Sequence, residues 1–192
     1  MTHARPDPHP PKATSVTENG LPTPWHPPRS WRAQVAPDGS TRLVISVPSE
    51  LLPEIHLRLL AAMGGALSVA YMQLTDRKVG KPHPVPVRYV GLELPAERIV
   101  SALTESGDLV WYDGRHQLWI RGSFGEQVVL DELGMIYCYP DDPVFRDALE
   151  DIPESPALGM DGQDYVKVHF RAAADAQEAA FIQGLSLTRW SA

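Results

Sequence analysis

The chain has 192 residues, 43% of them hydrophobic, and a formal net charge of −7 from 24 acidic against 17 basic side chains. That size and apolar content suit one domain of ordinary size plus a tail, while the acidic balance disfavours non-specific binding to nucleic-acid phosphates or anionic lipid. One cysteine, Cys138, leaves no intramolecular disulfide, and no apolar stretch approaches the ~20 residues that span a bilayer.

Eight of the 19 prolines lie before residue 30. Proline fixes φ, lacks an N–H and pushes its predecessor to extended geometry, so residues 1–30 read as a Pro-rich arm, extended or disordered. No apolar segment near Met1 resembles a signal peptide, which makes the cytoplasm the expected address. Trp25 and Trp31 are the arm's candidate anchors, on a partner or on the chain's own domain.

The domain is expected over 31–192. Trp31 to Val35 and Arg42 to Val47 read as strands joined by Pro37-Asp38-Gly39-Ser40, which has strong turn chemistry. Ser49 reads as the N-cap of a helix whose apolar stripe is Leu51, Leu52, Ile55, Leu59, Ala62 and Met63, stopped by Gly64-Gly65. Ala66 to Leu74 reads as a buried strand with helix as the alternative, Thr75 to Pro86 as a polar loop, and Val87 to Leu92 as a strand. Pro95 opens a helix to about Glu105, with Ile99, Val100 and Leu103 inward. Leu109 to Tyr112, Asp113-Gly114 and His116 to Arg121 read as a β-hairpin, because Asp-Gly suits a type I′ turn. Strands over Glu126–Leu130 and Met135–Tyr139 continue the meander. A helix starting at Asp142-Pro143, a strand over Tyr165–Phe170, a helix over Ala173–Gln183 and a strand-like tail from Leu185 to Trp190 complete the chain. Adjacent strands with short turns and single helices predict an α+β fold, mainly antiparallel, with about four helices packed on the sheet.

The chemistry-bearing candidates are few. Asp131, Glu132, Asp141 and Asp142 flank one strand, and carboxylates at strand ends can hold a divalent cation or act as acid and base. The plainer reading makes them turn and helix-cap residues. Asp164-Tyr165-Val166-Lys167 misses the acid-x-Lys spacing of metal-dependent nucleases, since that offset puts Asp164 and Lys167 on opposite faces of a strand. His56, His83, His116 and His169 show no zinc spacing, and His116, beside the Asp-Gly turn, reads as exposed. Cys138 sits in an apolar strand, where a thiol is a small hydrophobe. The sequence contains no P-loop, no G-x-G-x-x-G and no G-x-S-x-G.

The expected function is therefore a non-enzymatic protein-binding module, of the immunity, adaptor or assembly-subunit kind. It would act through the arm and the sheet aromatics Trp111, Tyr112 and Trp119 on another protein, without metal or cofactor. The alternative is a metal-dependent hydrolase using Asp131, Asp141 and Asp142.

Overall fold

The computed structural model describes residues 9–16, 19–35, 38–158, 165–167 and 172–190. Its strands are β1 (Ala13–Val16), β2 (Pro22–Pro24), β3 (Ser30–Val35), β4 (Thr41–Ser46), β5 (Leu67–Thr75), β6 (Pro82–Leu94), β7 (His116–Arg121), β8 (Gln127–Leu130), β9 (Ile136–Tyr139), β10 (Tyr165–Lys167) and β11 (Thr188–Trp190). The helices are α1 (Leu52–Ala62), α2 (Ala96–Glu105), α3 (Gly107–Tyr112), α4 (Pro143–Asp147) and α5 (Ala172–Gly184). The architecture is α+β, built on an eight-stranded antiparallel sheet of order β11-β6-β5-β7-β8-β9-β4-β3. The expected meander is its centre, since β7, β8 and β9 are neighbours in space as in sequence.

The helices gather on one face. Alternation along the strands supplies the core there: Leu43 and Ile45 from β4, Val69 and Tyr71 from β5, Leu118 and Ile120 from β7. These meet Ile55 and Leu59 of α1, Ile99 and Leu103 of α2, and Phe181 of α5. Val100, expected inward, is on the outer side of α2. Pro53 falls in the first turn of α1, where no acceptor is lost. Ser49 does not cap that helix; its hydroxyl donates to the His9 carbonyl instead.

The expected hairpin over 109–121 is corrected. Residues Gly107–Tyr112 form a helix, and only His116–Arg121 is a strand. A strand in a half-covered sheet buries alternate residues, whereas Leu109, Val110, Trp111 and Tyr112 are all buried. A short helix accommodates four consecutive buried side chains because α1, α2 and α5 surround it. The Asp113 carboxylate then accepts from the Arg115 amide at 2.9 Å, turning the chain from helix into strand.

The polar loop after β5 is also shorter than expected. Asp76 Oδ1 accepts from the amides of Lys78 and Val79, and Gly80, at φ +69°, completes the reversal. Strand structure resumes at Pro82. The alternating Pro82, Pro84 and Pro86 turn all three missing donors to one edge of the strand, which a sheet tolerates. Further along, a Cβ on Gly91 would lie 2.7 Å from Leu187 Cδ2 and 2.9 Å from Leu94 Cδ1. Gly91→Ala is expected to destabilise the protein by about 1–3 kcal/mol, readable in urea unfolding. An unchanged midpoint would mean that β11 and its approach yield freely.

The described part of the arm lies along the domain. Strand β1 pairs with β2 and, across most of the chain, with β10, forming a three-stranded antiparallel sheet. Ala13 and Trp25 pack with Val44, Met135 and Leu158, so this small sheet covers the β4–β9 end of the large sheet's second face. Trp31 is buried as well, its indole donating to the Ile152 carbonyl.

Candidate functional site on the open face of the sheet

Along β7 the sequence alternates His116, Leu118, Ile120 with Gln117, Trp119, Arg121. The first set points into the core and the second to the face without helices. From Tyr139 across to Trp190 that face stays open. Two connected depressions lie on it and share Trp119, which is 39% exposed.

The larger, about 610 Å³, is polar and includes Arg42, Gln117, Asp131, Glu132, Tyr137 and Tyr139 in its lining. Arg42 stacks on the Tyr137 ring at 4.7 Å and donates to Tyr139 Oη at 2.6 Å and to Gln34 Oε1. Gln117 Nε2 donates to Glu132 Oε2 at 2.5 Å, and its oxygen accepts from the Trp119 indole at 3.0 Å. Asp131 accepts from the amides of Leu133 and Met135, each at 2.8 Å, and from Tyr137 Oη at 3.2 Å. Burial nevertheless pushes its carboxyl up to about 6, with Glu132 adding to the rise and the amides opposing it.

The smaller depression, about 340 Å³, is apolar, lined by Ala70, Met72, Val90, Leu92 and Trp190 with Arg88 among them. Leu92 is 68% and Trp190 58% exposed. Large apolar side chains left together in water cost free energy that a partner's surface recovers.

Of the aromatics expected to bind a partner, only Trp119 lies on this face. Trp111 and Tyr112 are core residues of α3, which corrects their placement on a sheet. Trp25 and Trp31 are spent on packing the arm and β3. The residues that reasoning from sequence missed are Met72, Leu92, Trp190 and the three arginines. The alternation of Gln117, Trp119 and Arg121 against Leu118 and Ile120 was the signal available for Arg121 alone.

The carboxylates proposed for a metal do not converge. Asp131 lies before β9 and Asp141 and Asp142 beyond its other end; Asp141 pairs with Arg146 at 2.7 Å, and Asp142 caps α4 through the Val144 amide at 2.9 Å. Among the described residues no group of three or more His, Cys, Asp or Glu is placed to hold a metal ion. Asp164 and His169 lie outside the described residues. Cys138 is fully buried, and burial raises its thiol pKa.

Two polar clusters sit inside instead. In the first, Arg77 and Arg115 hold Asp113: Arg77 Nη1 lies 3.0 Å and Arg115 Nη2 2.5 Å from Asp113 Oδ2. Both also reach Asp175, and Arg77 Nε lies 2.8 Å from Glu178, which accepts from Tyr71 Oη at 2.5 Å. These bonds clamp α5 to the ends of β5 and β7. In the second, Lys12 of the arm is only 1% exposed, its ammonium donating to the Asp131 carbonyl at 3.3 Å.

His56 and His116 are buried nearby, correcting the expectation that His116 is exposed. Burial, then the Lys12 charge, pushes His56 down to about 3 and His116 well below the usual range, so both are neutral. The Trp111 indole donates to His56 Nδ1 at 3.2 Å, while the His116 ring stacks on Tyr71. These groups have no opening to a cavity comparable with the two on the sheet.

Among the described residues no helix is long and apolar enough to cross a membrane. Comparison with protein-family models, with curated proteins and with solved structures finds no match to this chain.

Proposed function

We propose that the protein is a non-enzymatic binding module that recognises another protein through the open face of its sheet, with Trp119 at the centre. One observation carries this reading: six strands, β9 across to β11, present a contiguous surface on which Trp119, Leu92 and Trp190 are exposed beside two depressions, with no helix over them. Exposed aromatic anchors ringed by polar groups are typical of protein-recognition surfaces. The described part of the arm supports the sheet from its other end, with Lys12, Ala13 and Trp25 buried.

The test is Trp119→Ala. The ring is 39% exposed and is paired across the strands with Ala70 and Val129, so the loss in thermal stability is expected to stay within about 1 kcal/mol, the scale of a cross-strand pair. Partner affinity, measured by calorimetry with the protein co-purifying from the native host, is expected to fall by about 2 kcal/mol or more, a typical loss for a central aromatic anchor. A partner whose affinity is indifferent to this substitution would place recognition elsewhere.

A further inference from the structure

Away from the open face, five arginines meet carboxylates, while Arg98 donates to the Gly184 carbonyl and the Ser186 hydroxyl. Arg29 pairs with Asp151, Arg58 with Glu54 and Asp151, Arg77 and Arg115 with Asp113, and Arg146 with Asp141. On the open face the pattern stops. Among the described residues none of Arg42, Arg88 and Arg121 has a carboxylate within 4.0 Å of its guanidinium. Arg42 is turned to Gln34 and Tyr139, and Arg88 Nε lies 3.3 Å from Met72 Sδ. Composition does not explain this, because acidic side chains outnumber basic ones 24 to 17. The carboxylates that border the face are already engaged: Asp131 by two amides and a tyrosine hydroxyl, Glu132 by Gln117 and Asp38 by Ser40.

Resting on the reading of this face as a protein-binding surface, we propose that its occupant is an acidic, extended segment of a partner protein. Its carboxylates are taken by Arg42, Arg88 and Arg121, and an apolar side chain enters between Trp119 and Trp190. The guanidinium fork matches a carboxylate bidentately, and an Arg without an internal carboxylate has that fork to offer.

The geometry sets the length. Arg88 is on β6, Arg121 on β7 and Arg42 on β4, with five strand spacings from β6 to β4. At about 4.8 Å per spacing the arginines span roughly 24 Å, which an extended chain covers in about seven residues. A second copy of this chain is a poor occupant, because the carboxylates its own face would offer, Asp38, Asp131 and Glu132, are already engaged. Single-stranded nucleic acid is disfavoured by the net charge of −7.

The experiment pans the full chain against a random-peptide phage library and measures the enriched peptides as synthetic probes. Controls are a glutamine-for-carboxylate version of each peptide, an oligo-dT strand, and sedimentation of the protein alone. Enriched peptides are expected to carry an excess of Asp and Glu around one aliphatic or aromatic residue. Affinity is expected to drop about tenfold or more in the Arg42→Gln/Arg88→Gln/Arg121→Gln variant, whose folding is checked by its melting curve. Raised salt is expected to weaken binding too. Peptides without acidic excess that still depend on Trp119 would overturn the acidic partner and leave the surface standing. Failure to enrich any peptide, or binding unchanged by Trp119→Ala, would overturn the surface as well. Tighter retention of oligo-dT, or a dimer that buries Trp119, would replace the proposed occupant.

Discussion

Asp113→Ala is expected to cost about 3–5 kcal/mol of folding stability, the range found when one partner of a buried ion pair is removed. The carboxylate is 1% exposed and is shared by two guanidinium groups. Alanine removes the most deeply buried carboxylate of the cluster and leaves Arg77 and Arg115 to Asp175, which is 44% exposed, and Glu178, so both guanidinium groups lose a buried ion-pair partner. For a chain of this size the loss corresponds to roughly 10 °C or more in Tm.

A pH signature separates this from simple loss of packing. Burial by itself would raise the Asp113 carboxyl, but Arg115 and Arg77 outweigh it and hold the pKa well below the ordinary 3.8. The unfolded chain therefore binds the proton more readily, and the group's contribution is present above 3.8 and lost as pH falls towards the folded value. Wild type is expected to lose stability below about pH 4 along a limb that the variant lacks. A cost under about 1 kcal/mol, with that limb intact, would show that the arginines are satisfied without Asp113.

Lys12→Met is expected to act in the opposite direction, stabilising the protein by about 1–3 kcal/mol at pH 7. The ammonium is buried, and its one hydrogen bond goes to a carbonyl rather than to a carboxylate. Burial lowers its pKa from 10.5 to about 8 despite the charges of Asp131, Asp113 and Glu132, which raise it; Arg77 assists the fall. That displacement corresponds to about 3 kcal/mol borne by the charged form. Asp131 offsets part of the gain, because it loses the cation that favours its ionised state.

Because Lys12 is the weaker base when folded, the unfolded chain holds more protons between about pH 8 and 10.5, and wild-type stability rises with pH through that window. Methionine keeps an unbranched side chain in the same space and removes the rise. Denaturant midpoints at pH 7 and pH 10 check both statements. A variant destabilised by more than about 1 kcal/mol at pH 7 would mean that the ammonium is a net support for the arm.

Strand periodicity and turn chemistry made most of the large sheet legible. Asp38-Gly39 closes β3 on β4 and Pro95 opens α2, as local residue types predict. The failure over 107–112 has a physical cause: Asp-Gly is good turn chemistry in any setting, and only the tertiary surroundings decide whether a helix or a strand precedes it. Burial of Lys12 and His116 was equally invisible, because both depend on which distant elements close over them. The candidate site was legible only through Trp119. Its other walls, Arg42, Arg88 and Trp190, come from strands far apart in the chain, which no local pattern connects.

The pairing of β1 with β10, Ala13 against Lys167, ties residues more than 150 positions apart. β4 likewise waits for β9, while β5, β7 and β8 find neighbours sooner. During synthesis the first third of the chain therefore emerges with its own local pairs, β1–β2 and β3–β4, but without the strands that those pairs later join. Local antiparallel pairs form quickly and distant ones slowly, so the early pairs join β9 and β10 only after the middle of the sheet has formed. For much of that interval the edge of β4 stays unpaired, a ready template for any other strand that meets it.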